Sequence, residues 1–204
     1  MALADGTAVW LNAGTKLEYP ALFTGDTRRV RIEGEARFDV AHDASHPFVV
    51  ETFAADVKVL GTEFNVAADK ACGTFSAALF EGSVEVRDRT TDEAVVLHPD
   101  ETVRLVDGRL ATGRIEHPDD YIWTEGYINF KGHTVGEILD KYRHVYGVNI
   151  RLENVSLPDT KFQWGKIQVQ DGIDNAMKVL QNIYPITYEF DSETRAITIR
   201  EAER

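Results

Sequence analysis

Histidines and carboxylates are the residues with which this chain could do chemistry, and their spacing argues against most of it. His42 and His46 stand at an H-x3-H spacing, which on a helix would turn both rings to one face for zinc. Here they end a strand and enter a loop, with Asp43 between them and Pro47 directly after, and spacing places no third ligand. They read as loop polarity. His98, His117, His133 and His144 are scattered, and none adjoins a serine or cysteine in a nucleophile motif. The acidic pairs Glu33/Glu35 and Asp119/Asp120 could serve a glycosidase, but nothing selects one, and they read as solvated strand face and linker. Neither a P-loop nor a G-x-G-x-x-G is present. The lone cysteine, Cys72, lies among Ala71, Gly73 and Phe75 and reads as a small buried thiol. The expectation is no enzyme, with no catalytic, metal or cofactor site.

The stretch Lys161–Gln170, KFQWGKIQVQ, is more informative. Phe162 and Trp164 share one parity of a strand, while Ile167 and Val169 hold the other. Gly165 between them is a natural bulge that re-aims the chain. One reading is core packing on both halves. The other is a strand, Phe162–Val169, whose aromatic end is half exposed. In that reading Phe162, Trp164, Gly165, Ile167 and Val169 are offered to a partner. A sheet edge binds another chain by adding a strand, which needs no catalytic residue.

Strands must position nearly everything before residue 117. The organising stretch is Gly34–Val66, GEARFDVAHDASHPFVVETFAADVKVLGTEFNV, in which Ala36, Phe38 and Val40 alternate with Glu35, Arg37 and Asp39. A period of two puts the first set on a dry face and the charges on a wet one. Breaks at Asp43–Pro47 and Ala54–Asp56 make the stretch a β-meander. Thr7–Asn12, Thr27–Gly34, Thr74–Phe80, Ser83–Arg87, Ala94–Leu97, Glu101–Val106 and Leu110–Arg114 are further short runs. The pattern predicts an all-β unit over residues 1–117, a sandwich or jelly roll of roughly ten strands, with a β-solenoid as the alternative.

After the polar break at His117–Asp120 the period changes. Thr134 and Glu137 fit a capping box, and Val135, Ile138, Leu139, Tyr142, Val145 and Tyr146 form one apolar helical stripe. Gly147 suits the position that ends the helix, and Val148–Leu152 follows as a strand. The arrangement then repeats. Asp171 is the expected N-cap, Ile173, Ala176, Met177, Leu180, Ile183 and Tyr184 form the stripe, and Pro185 stops it. Strands Ile186–Phe190 and Ala196–Arg200 complete a small α+β domain of two βαβ-type repeats over residues 121–204.

The bulk numbers exclude several classes. A chain of 204 residues, 43% hydrophobic and 27% charged, can bury a core in one large domain or two small ones. Its formal net charge of −12 repels phosphate backbones and anionic lipid, so nucleic acid and a membrane surface are poor partners. No apolar run approaches the roughly 20 residues that span a bilayer, and no basic-then-apolar leader opens the chain. One cysteine does not separate cytosol from periplasm.

Several phrases in fixed order carry a resemblance. GEARFDV, PFVVET and VKVLGTEFNV, flanked by DGTAVWLNAGTKLEYP at residues 5–20 and LFEGSVEV at 79–86, closely resemble the FecR-type anti-sigma factors of Gram-negative bacteria. The C-terminal part resembles the short signalling domain of secretins and TonB-dependent receptors. Trp123 through Phe130 is similar to the W-x-x-G-x-x-x-F phrase of Bacteroidetes-type members. The resemblance implies the periplasmic sensor portion of a single-pass inner-membrane protein. Its partners would be the signalling domain of a TonB-dependent outer-membrane receptor and, through a cytoplasmic segment and transmembrane helix not in this sequence, a sigma factor. A soluble fragment is therefore the expectation, with no direct small-molecule substrate. A β-sandwich that binds or processes glycans is the rival, and it rests on fold analogy alone.

Overall fold

The computed structural model describes residues 1–202, which divide into two compact units, the first Met1–Glu116 and the second beginning at His117. The first contains β1 (Ala8–Leu11), β2 (Lys16–Glu18), β3 (Arg28–Asp39), β4 (Phe48–Glu51), β5 (Ala55–Val59) and β6 (Glu63–Asp69). It continues with β7 (Thr74–Glu81), β8 (Val84–Asp88), β9 (Ala94–Leu97), β10 (Glu101–Val106) and β11 (Arg109–Arg114). The molecule is mostly β, built on one large, nearly closed sheet.

That sheet is organised by β3, a single 12-residue strand where the sequence suggested two runs meeting at Gly34. Val30, Ile32, Ala36 and Phe38 are all buried, so the dry parity survives the whole length. The first half of β3 pairs with β2 and, in parallel, with β4, while its second half pairs with β1 and β6. The sheet thus bends over on itself at Gly34, with one half running β3-β4-β5-β8-β9 and the other β3-β6-β7-β10-β11. All these ladders but β3–β4 are antiparallel, which is not the parallel stacking of a β-solenoid. Phe38 sits at the middle of the enclosed core, its ring 5.3 Å from Phe64 and 6.0 Å from Phe48.

A buried cation ties the loops to this core. Arg28 is 3% exposed, and it donates to Asp5 and to the carbonyl oxygens of Ala41 and His46, each at 2.8 Å. A buried guanidinium is tolerated only when its donors are satisfied in this way. Burial pushes the Asp5 carboxyl up, but bonds from Thr7 and Arg28 outweigh it and hold the group below its ordinary value.

The second unit contains β12 (Tyr127–Asn129), α1 (Val135–Tyr146), β13 (Asn149–Glu153), β14 (Lys166–Gln168), α2 (Gly172–Ile183), β15 (Ile186–Asp191) and β16 (Ala196–Glu201). The capping box forms as expected: the Thr134 side chain accepts from the Glu137 amide, and Glu137 accepts from the Thr134 amide. Gly147 ends α1 in the left-handed region. Asp171 differs from expectation. It makes no side-chain cap bond, because a short 3-10 turn, Val169–Asp171, leads directly into α2. Strand, helix and strand do recur in order, yet the strands flanking α1 lie in different sheets. β12 pairs with β14 in a two-stranded sheet, and β13-β16-β15 form a three-stranded one. Both helices bury their stripes against one core that includes Ile138, Tyr142, Met177, Leu180 and Ile199.

Candidate docking site

The ladder between β12 and β14 runs on beyond the named strands. Val169 N–H donates to the Gly126 carbonyl, Phe130 N–H to Gly165, Gly132 N–H to Phe162, and Phe162 N–H to His133. Between Phe162 and Gly165 two residues, Gln163 and Trp164, have no place opposite the partner chain and are pushed out. Regular strand geometry is therefore confined to Lys166–Gln168, where the sequence suggested Phe162–Val169. The cause is Gly165, at φ +128°, a conformation that side chains rarely adopt.

The bulge separates the five candidate residues. Phe162 turns inward, with its ring 5.3 Å from Phe130 and 5.8 Å from Tyr184. Trp164, of the same parity, is 81% exposed. A Cβ on Gly165 would lie 3.3 Å from the Phe130 ring, so the glycine also permits close packing. Ile167 is buried opposite Ile128, and Val169 is half-buried at the start of the 3-10 turn. The outer edge of β14 has no strand partner among the described residues. What the arrangement offers is an indole held clear of the surface beside an open backbone edge.

The chain opposite this bulge leads, at Asn129 and His133, into a polar centre that no local spacing foretells. Asp120 Oδ1 lies 2.6 Å from His133 Nε2, 2.8 Å from Lys141 Nζ and 3.3 Å from Asn129 Nδ2. A carboxylate only accepts, so Nε2 carries the proton and donates to it. Burial pushes the Asp120 carboxyl up, but the bonds from His133 and Lys141 prevail and bring it down to about 2. His133 Nδ1 faces Glu137 at 3.7 Å, and the His117 ring stands 5.7 Å from the His133 ring. The centre ties the 3-10 segment Pro118–Glu125 to α1. Its members come from 13 and 21 residues away in sequence, beyond any local motif.

The other residues with chemical potential serve structure. His46 Nδ1 is 2.8 Å from Asp43, and His42 packs against Gly61, so the two rings have separate neighbours. Among the described residues no three His, Cys, Asp or Glu side chains converge as a metal site would need. Glu33 is solvated as expected. Glu35 is not: it accepts from Asn12 at 2.7 Å and from Asn65 at 2.9 Å, bridging two strands through the wet face. Cys72 is exposed rather than buried, because it sits in the β6–β7 turn that the Asp69 carboxylate caps. No helix among the described residues is long and apolar enough to cross a membrane.

Comparison with known proteins agrees over both units. The family model described as FecR protein matches residues 1–85, and that described as FecR, C-terminal, matches residues 127–199. The chain is similar to the 1.65 Å crystal structure of a protein provisionally assigned as an anti-sigma factor from Parabacteroides distasonis ATCC 8503. Identity is 29% and the TM-score 0.80, over 100% of this chain and 94% of that one. A second structure of the same description, at 2.50 Å, gives 29% and 0.79 over 100% and 93%. No curated protein matches.

Proposed function

The chain belongs to the FecR family of anti-sigma factors, and from that premise we propose that it is the periplasmic sensor portion of a single-pass inner-membrane regulator. The periplasmic signalling domain of a TonB-dependent outer-membrane receptor docks on it, and the signal passes through a transmembrane helix to a cytoplasmic sigma factor. The work required here is a protein–protein contact rather than bond chemistry. The observation that carries the reading is Trp164, 81% exposed on a bulge beside the edge of β14 that has no strand partner among the described residues.

Open edges bind other chains through backbone hydrogen bonds, and an adjacent aromatic anchor supplies specificity. Phe162, Gly165, Ile167 and Val169 fix the bulge, and Trp164 is the anchor. Interface tryptophans commonly cost at least about 2 kcal/mol when truncated, roughly a thirtyfold loss of affinity. Calorimetric titration with a receptor signalling domain tests this. Trp164→Ala should bind about thirtyfold more weakly at an unchanged melting temperature. Equal affinity in the folded variant would move the interface elsewhere.

A further inference from the structure

The first unit contains a cavity of about 410 Å³ that receptor docking leaves unused. It opens where β2, the middle of β3, the β4–β5 turn and the end of β6 meet. Four cations line it, Lys16, Arg31, Lys70 and Arg89, against two carboxylates, Glu18 and Glu33. The lining itself is therefore cationic in a chain of net charge −12, although Glu51 and Asp56 stand against Arg31 and Arg89 just outside it. The half-buried Phe53 is its main apolar surface, since Ile32 and Ala68, which also line it, are almost fully buried.

The cations keep donors in hand. Lys70 has no ion-pair partner among the described residues. Lys16 reaches Glu33 only at 3.7 Å, with both side chains well exposed. Arg31, well exposed, commits Nη2 to Glu51 at 3.1 Å, and its Nε and Nη1 have no partner among the described residues. Arg89 commits Nη1 to the Thr52 carbonyl oxygen at 3.0 Å and stands 3.3 Å from Asp56, leaving Nε and Nη2. Guanidinium groups with N–H donors left over are suited to a carboxylate, which they meet in pairs.

We propose that this cavity binds a small carboxylate that also carries hydrogen-bond donors, either an acidic sugar or a short acidic peptide. The volume falls in the range of small-molecule sites, roughly 300–1,000 Å³. Glu18 and Glu33 argue against a bare polyanion, which they would repel, and for a ligand whose hydroxyl or amide groups donate to them. Phe53 meets its apolar face. The chain would then read a soluble ligand directly, at a site on the other unit from the docking bulge.

The test is an amide-resolved NMR titration of the full chain with D-glucuronate, with N-acetyl-alanyl-aspartate and with D-glucose. Saturable shifts at Thr52, Phe53, Lys70 and Arg89 are expected with a carboxylate and not with glucose. The tighter of the two carboxylates identifies the source. Lys70→Gln combined with Arg31→Gln should weaken that binding by about tenfold or more while the spectrum keeps its dispersion, since each removes one charge-assisted contact. Added salt should weaken it too. The proposal is overturned if neither carboxylate gives saturable shifts at these amides, if glucose shifts them equally, or if the folded double variant binds as the parent does.

Discussion

Asp120 accepts a 2.6 Å hydrogen bond from His133, and this contact joins the start of the second unit to the turn that leads into its first helix. The carboxyl titrates at about 2 in the folded chain against an ordinary 3.8. Its folded value is depressed, so its contribution is fully present above pH 3.8 and is lost as pH falls toward 2. The difference corresponds to about 2 kcal/mol. Asp120→Asn should cost that much in urea melts at neutral pH. The gap between parent and variant should close in acid, and a gap that stays constant down to the acid limit would show that the carboxylate charge is not what stabilises the turn.

Phe38→Ala should cost about 3–5 kcal/mol, because the side chain is fully buried between two other rings. Arg37, on the opposite face, is expected from sequence to tolerate truncation. The structure makes it less neutral: Arg37 pairs with Glu63 at 2.8 Å and lies 4.3 Å over the Phe80 ring. Arg37→Ala should therefore cost about 1 kcal/mol, more than a free surface residue and far less than Phe38. Thermal melts of the two variants separate the cases, and equal losses would contradict the assignment of the inner face.

What could be read in advance is what local pattern dictates. Alternation from Val30 to Phe38 gave the dry face, and the Thr134/Glu137 box with the apolar stripe gave α1. Where the sequence misled, a tertiary partner decided. Phe162 and Trp164 share parity, yet a bulge whose partner chain is Gly126–His133 sends one inward and the other out. Glu35 looked solvated until Asn12, just past β1, and Asn65, in β6, came to it. Asp120, His133 and Lys141 carry no spacing signal, because a loop and a helix bring them together. The candidate docking residues were legible as an unusual strand, but the direction of each side chain was not.

Gly34 is the point where β3 passes from one half of the sheet to the other, at φ +114°. A Cβ there would lie 2.6 Å from Thr15 Oγ1 and 2.8 Å from Thr15 Cα. Backbone stands in the way, so a rotamer change cannot relieve the clash. Gly34→Ala should destabilise the first unit by at least about 2 kcal/mol, combining the strained dihedral with the overlap. Gly73→Ala serves as control: it shares a positive φ, +68°, but meets nothing within 4 Å. If the two variants melt alike, the close approach to Thr15 contributes nothing.

The last prediction concerns where the second unit begins as a folding body. The change of period near Pro118 suggests that residues 121–204 fold alone, but the compact unit starts at His117, and Asp120 anchors that segment to His133 and Lys141. A fragment starting at residue 121 lacks the carboxylate and leaves Lys141 without its ion-pair partner. Both fragments, 117–204 and 121–204, should show mixed α/β circular dichroism and cooperative unfolding, since the core around Ile138, Tyr142 and Leu180 lies within each. The longer one should be the more stable by about 2 kcal/mol at neutral pH, and the advantage should fade in acid with the titration of Asp120. Failure of both to fold would mean that the second unit depends on the first. Equal stability would mean that the Pro118–Glu125 segment rests on the unit without supporting it.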